Sequence, residues 1–320
     1  MTISLGDESA LLTELRGLSE SGRHRAVVDR LGQLAPEEVA KRTSLALLAA
    51  EAHGRLGDLE TADRWAAAAL ELAQSRGDRH AELRALNHRG AIALERGAAE
   101  DAERWFSAAL ERCSETPSYA AQARSLNNLG IIAHLRGDLE RALASYQLAL
   151  AAYQQAGLVR GMAETYHNIA ISRMHLGDAR GAMSAAEQAV RLAGQVQDER
   201  LATQALVGRA ELHLKTRDTD FAAAELERAA LVYERLQHPV GLAEVWRLQA
   251  GVARARGQVT EAVELLERAA ALAGGAESAH TLAEIERDLG AALEAKGDSA
   301  GARAARERAE KLYRGLGATD

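Results

Sequence analysis

Two alanines return seven times along this chain, always 40 residues apart. One set is Ala62, Ala102, Ala142, Ala182, Ala222, Ala262 and Ala302; the other is Ala69, Ala109, Ala149, Ala189, Ala229, Ala269 and Ala309. A glycine leads most copies, at Gly57, Gly97, Gly137, Gly177, Gly257 and Gly297, and Arg217 stands in the one exceptional place. Self-similarity at a fixed period of this length specifies a solenoid, because each unit can bury its apolar face only against its neighbours. Such an array offers a long surface, which turns the functional question away from catalytic motifs.

One copy shows the anatomy of the unit. Up to Arg136, the residues Leu126, Leu129, Ala133 and Leu135 recur at helical spacing. Gly137 then supplies a left-handed residue that ends a helix, and Asp138 can cap the next one. Beyond it Ala142, Leu143, Tyr146, Ala149, Leu150 and Tyr153 form the buried stripe of a second helix. Alanine at 142 and 149 lets the two helices approach closely. Each unit is therefore expected to be a helix hairpin.

The pattern Gly130, Gly137-Asp138, Ala142, Tyr146, Ala149 resembles the tetratricopeptide repeat family, and the resemblance runs in seven copies from about Ser44 to Tyr313. Units of that family are about 34 residues long; the longer period here resembles the long-repeat arrays of kinesin light chains and bacterial signal-responsive regulators. The resemblance implies an all-α, right-handed superhelix of seven to eight hairpins. Residues 1–36 read as a degenerate first hairpin or N-terminal cap, with Leu11, Leu12, Leu15, Ala26, Val27 and Leu31 apolar and a turn near Ser21-Gly22. Residues 37–320 read as the array, one domain growing lengthwise. Arg306 and Glu310 replace the apolar residues of earlier copies, so the last helix is expected to be a polar cap.

Composition narrows the class further. Prolines number three, at Pro36, Pro117 and Pro239, all in expected links between hairpins. The lack of a long apolar run or a basic-then-apolar leader points to a soluble, cytoplasmic protein with no membrane partner. A net charge of -7 argues against a nucleic-acid partner, which only an arginine-lined groove would override. Cys113, the single cysteine, takes a slot filled by Ala73 and Tyr153 in other copies, and reads as a packing residue. Phosphate-cradling, zinc-protease and nucleophile-elbow motifs are all missing, so neither catalysis nor a cofactor or metal is expected.

The resemblance implies that the first helix of each hairpin lines a concave groove. Counted back from the turn glycine, adjacent pairs on three such helices read Asn87-His88, Asn127-Asn128 and His167-Asn168. One turn earlier lie Arg84, Arg124 and Glu164; one turn later lie Ala91, Ile131 and Ile171, with His134 and Met174 beyond. Amides and imidazoles both donate and accept, so a stacked row of them can hold a peptide backbone whatever its sequence. The family resemblance implies the same use of asparagine here. Hydrogen bonding between neighbouring helices and a small-molecule use remain as alternatives.

Further along, Val207-Gly208, Arg247-Leu248 and Arg287-Asp288 replace the amide pairs, and Arg84, Arg124, Arg247 and Arg287 could meet acidic groups of a partner. The expected function is a protein-interaction scaffold binding a peptide segment. A regulatory sensor acting on a separate effector is the alternative. The outer helices bearing Trp65 and Trp105 are the rival surface; the oligomeric state is left open.

Overall fold

A computed structural model of the chain describes residues 5–20, 23–275 and 278–315. Seventeen helices and no strand occur among them. Seven hairpins follow the predicted period: α4 (Thr43–Arg55) with α5 (Leu59–Arg76), α6 (Arg79–Glu95) with α7 (Ala99–Glu115), and α8 (Tyr119–Leu135) with α9 (Leu139–Ala156). Then come α10 (Val159–His175) and α11 (Ala179–Ala193), α12 (Glu199–Lys215) and α13 (Thr219–Arg235), α14 (Pro239–Ala255) and α15 (Val259–Gly275), and α16 (Ala279–Lys296) and α17 (Ser299–Gly315). The chain forms two compact units, Met1–Gly161 and Met162–Asp320.

The turns explain the glycines. Gly137 has φ +80°, where a side chain would be strained, and the Asp138 N–H donates to Ala133 O at 2.9 Å across it. Asp138 Oδ1 then accepts the Arg141 N–H at 3.1 Å and so caps α9. Arg217 adopts the same left-handed conformation, φ +67°, without glycine's freedom. Its neighbour Asp218 makes no cap; the carboxylate instead accepts the Thr216 hydroxyl at 3.0 Å.

The recurrent alanines are the axis of each hairpin: both in every copy are buried, none more than 4% exposed. Room between paired helices is shared by coupled residues. A methyl group on Gly90 would lie 2.6 Å from the Phe106 ring, and one on Gly130 would lie 2.5 Å from Tyr146. Glycine on the first helix is thus the counterpart of an aromatic ring on the second.

In unit 1 the N-terminal segment has three helices: α1 (Leu5–Glu20), α2 (His24–Leu31) and α3 (Pro36–Ala40). Leu11, Leu15, Val27 and Leu31 pack with Val39 against Leu45 and Leu48 of α4. The expected turn at Ser21-Gly22 lies outside the described residues. Pro36 opens α3, and Pro239 opens α14. At the first helical position the missing N–H costs nothing. Arg42, reaching Glu8 at 3.2 Å and Glu38 at 2.8 Å, ties this segment to α4.

In unit 2, Leu226, Ala229 and Tyr233 of α13 pack with Val245, Leu248 and Val252 of α14. Leu266 and Ala269 of α15 pack with Ile285 and Leu289 of α16. On α17, Arg306 and Glu310 are exposed, as the polar pattern of that helix predicts, and Arg306 reaches Glu294 at 3.4 Å.

Candidate functional site

The paired polar residues of the first helices divide their work. Asn87 is buried, and its amide is used within the array: it donates to Leu83 O at 3.1 Å, makes a long 3.5 Å contact to Ala121 O, and accepts the Ser125 hydroxyl at 3.0 Å. Ser125 is fully buried on α8, so this bond joins two hairpins. Asn127 is buried at the equivalent place on α8. Their neighbours His88 and Asn128 keep part of their surface in water. Sequence alone did not separate the two faces, because adjacent helical residues differ by 100° of rotation and the pair straddles the boundary.

Arg84 is partly buried and Arg124 exposed. Burial, reinforced by the like charge of Arg124, holds the Arg84 guanidinium below its ordinary range. His88 lies in the same charged ensemble. Burial pushes its pKa down to about 4; Glu51 opposes the shift, and Arg84, Arg124 and Arg55 add to it. The ring is neutral at pH 7 and can both donate and accept. Ile131 is half-buried on α8, His134 is half-buried in the last turn of that helix, and Leu135 is 67% exposed.

In unit 2, His167, Asn168 and Ile171 are all partly exposed on α10. Glu164, His167 and Asn168 face Leu201, Gln204 and Ala205 of α12 across a small cleft. The His167 ring packs on the α12 backbone: a methyl group on Gly208 would lie 2.5 Å from its Cε1 and 2.6 Å from its Nδ1. Burial lowers the His167 pKa, against a smaller opposing effect of Glu211. Gly208 therefore makes room for a neighbouring side chain rather than for a ligand. Gly251 does the same for Leu214, whose Cδ2 would be 2.6 Å from an added methyl.

Arg247 differs most from the sequence reading. It is buried, 9% exposed, and held by Glu244 at 2.6 Å, Asp288 at 2.8 Å and Glu284 at 4.0 Å. Despite the cost of burial, these carboxylates raise its pKa, so its charge is already answered within the array. Arg287 is likewise engaged, 3.3 Å from Asp288. The four arginines thus fall into two sets, one pair in unit 1 with no ion pair within 4.0 Å and one pair in unit 2 satisfied. The signal was available: Glu244 precedes Arg247 by three residues, and Asp288 follows one repeat and one residue later.

In unit 1 the Arg89 guanidinium covers the Trp105 ring at 4.2 Å, and in unit 2 Arg268 covers Trp246 at 4.4 Å. Cys113 is half-buried with its thiol pKa raised by burial, in keeping with a packing role.

An all-α array of consecutive helix hairpins, with small residues at the crossing and a glycine-closed turn, defines the class of α-solenoid repeat proteins. Within that class, residues 82–155, from α6 into α9, match the tetratricopeptide repeat family model. No curated protein matches the chain. Solved structures share its fold at low sequence identity. A Rap protein complexed with competence and sporulation factor aligns with a TM-score of 0.66 at 12% identity, covering 97% of this chain and 98% of that one. The Rap conjugation gene regulator of plasmid pLS20, in complex with the Phr* peptide, gives a TM-score of 0.69 at 12% identity, over 86% of this chain and 74% of that one. A signal transduction ATPase with a tetratricopeptide repeat sensor, from Pyrococcus horikoshii, gives 0.64 at 16% identity, over 96% of this chain and 47% of that one. Among the described residues, no helix is long and apolar enough to cross a membrane.

Proposed function

We propose that this chain is a non-catalytic, cytoplasmic interaction scaffold that holds a peptide segment of a protein partner against the inner faces of its first helices. The observation that carries the reading is the division of labour within the polar pairs. Asn87 and Asn127 are buried in the array, whereas His88, Asn128 and Asn168 recur at one helical position with part of each side chain open to solvent. Groups that both donate and accept suit the alternating N–H and C=O of an extended backbone. Ile131 in unit 1 and Ile171 in unit 2, each one turn on, offer an apolar contact beside the polar groups of their own unit. The peptide in the Rap regulator complex supports the same use of this fold. The net charge of -7 weighs against nucleic acid.

The test is affinity capture from the native host with the wild type, with His88→Ala/Asn128→Ala in unit 1, and separately with Asn168→Ala in unit 2. A partner held by the wild type and released by either variant at unchanged helicity supports the reading. Equal recovery by all three proteins rejects it.

A further inference from the structure

Many arginines of unit 1 are engaged by carboxylates. Arg89 Nε lies 3.2 Å from Asp63, Arg112 is 3.3 Å from Glu115, and Arg141 is 3.1 Å from Glu103, which also accepts Arg136. Four are not. Arg16 on α1, Arg55 on α4, Arg84 on α6 and Arg124 on α8 make no ion pair within 4.0 Å and no hydrogen bond. They belong to one ensemble. Arg84 feels the charges of Arg16 and Arg124, and His88 feels those of Arg55, Arg84 and Arg124. Arg84 and Arg124 occupy the same position of successive repeats, 40 residues apart.

Glu51 and Asp78 reach this ensemble, and Glu95 interacts with Arg55, but three carboxylates do not balance four guanidiniums, and none of them forms an ion pair with these arginines within 4.0 Å. The chain as a whole carries -7, so the imbalance runs against its own charge. Arg247 in unit 2 shows the contrast, since there the repeat supplies Glu244 and Asp288 within 3 Å. Guanidiniums left together without counter-charge repel one another, and a planar fork of donors is suited to a carboxylate.

We propose that this arginine surface of unit 1 binds an acidic stretch of an extended partner segment, its Asp or Glu carboxylates seated on Arg84 and Arg124 and further acidic residues facing Arg16 and Arg55. The proposal rests on the peptide-scaffold reading and adds the chemistry of the peptide. Ile131 and the exposed Leu135 on α8 place an apolar contact next to the charged ones, which favours a segment with an aliphatic residue beside its acids.

The experiment pans a random octapeptide display library over the immobilised full-length chain, wild type and Arg84→Gln/Arg124→Gln. Removing two mutually repelling charges spares the fold, which circular dichroism and melting verify. The enriched octapeptides should be rich in Asp and Glu. A synthetic representative should lose about tenfold in affinity or more with the double variant, the scale of charged hydrogen bonds, and should weaken as salt rises. Its binding should also raise the His88 pKa, because nearby carboxylates favour the imidazolium. Neutral or basic winners whose binding survives Arg84→Gln/Arg124→Gln but not Asn128→Ala would overturn the arginine assignment and leave the peptide reading standing. Inorganic phosphate competing as well as the acidic octapeptide would reassign the surface to a small anion and also overturn the proposal. An absence of any binder to the wild type would reject both.

Discussion

His167 and Gly208 should behave as one packing unit, and a double-mutant cycle would show it. Gly208 lies inside α12, where alanine is better than glycine by about 1 kcal/mol. The added methyl, however, would sit 2.5 Å from His167 Cε1 and 2.6 Å from Nδ1. Carbon contacts normally settle at about 3.5–4.0 Å, so the overlap is about an ångström. Overpacking of that size costs roughly 1–3 kcal/mol. Gly208→Ala alone should therefore be neutral or destabilising by up to about 2 kcal/mol. In a His167→Ala background the obstacle is gone, and the same substitution should stabilise by about 1 kcal/mol. Repeat arrays open locally, so the readout is urea denaturation together with hydrogen exchange of the α12 amides. A change of sign between backgrounds is the expected result. Effects that agree within about 0.5 kcal/mol, the range of independent sites, would refute the argument. His167 would then not be packed on α12.

Other consequences follow from single residues. Arg217→Gly should raise stability by up to about 1 kcal/mol by relieving a left-handed side chain, measured as a higher melting temperature; a lower one contradicts the turn argument. Ala142 is fully buried at a helix crossing, so Ala142→Leu should cost roughly 1–3 kcal/mol, and unchanged melting would undermine the repeat register. Arg247→Met leaves Glu244, Glu284 and Asp288 facing one another without their cation. The loss at pH 7 should be roughly 3 kcal/mol, the lower end for buried pairs because the acids are about a quarter exposed. Part of it should return on acidification as the carboxylates protonate. His88 titrates near 4 when folded against 6.5 unperturbed. The unfolded chain therefore takes up its proton first, and the contribution of His88 is present above pH 6.5 and lost as pH falls toward 4. An imidazole resonance titrating near 6.5 in the folded protein would contradict the burial argument.

The hairpin array was legible because its determinants are local and repeated. Gly137 must be left-handed, Asp138 must cap, and Ala142 and Ala149 must be small, and each requirement recurs every 40 residues. The N-terminal helices were less legible, since α3 is a single turn opened by Pro36 and has no repeat to compare with. At the candidate site the repeat spacing placed the polar pairs at equivalent positions of successive first helices, but not the rotation of each side chain. Asn87 and His88 look interchangeable in one dimension, yet one reaches Ser125 inside the array and the other remains partly in water. Arg247 looked like a binding arginine because its partners are divided between its own helix and the next repeat. Gly208 reads in sequence only as a departure from the amide pairs, because the side chain packed over it is 41 residues away.

The most direct test of the account is hydrogen exchange read by mass spectrometry on the full chain, with and without a bound partner segment. The account predicts slowed exchange on first helices, in unit 1 on α6 and α8, which carry Arg84, His88, Arg124 and Asn128. The second helices should be unchanged. Protection confined to α5 and α7, around Trp65 and Trp105, would contradict it and move the binding surface to the opposite face of the array.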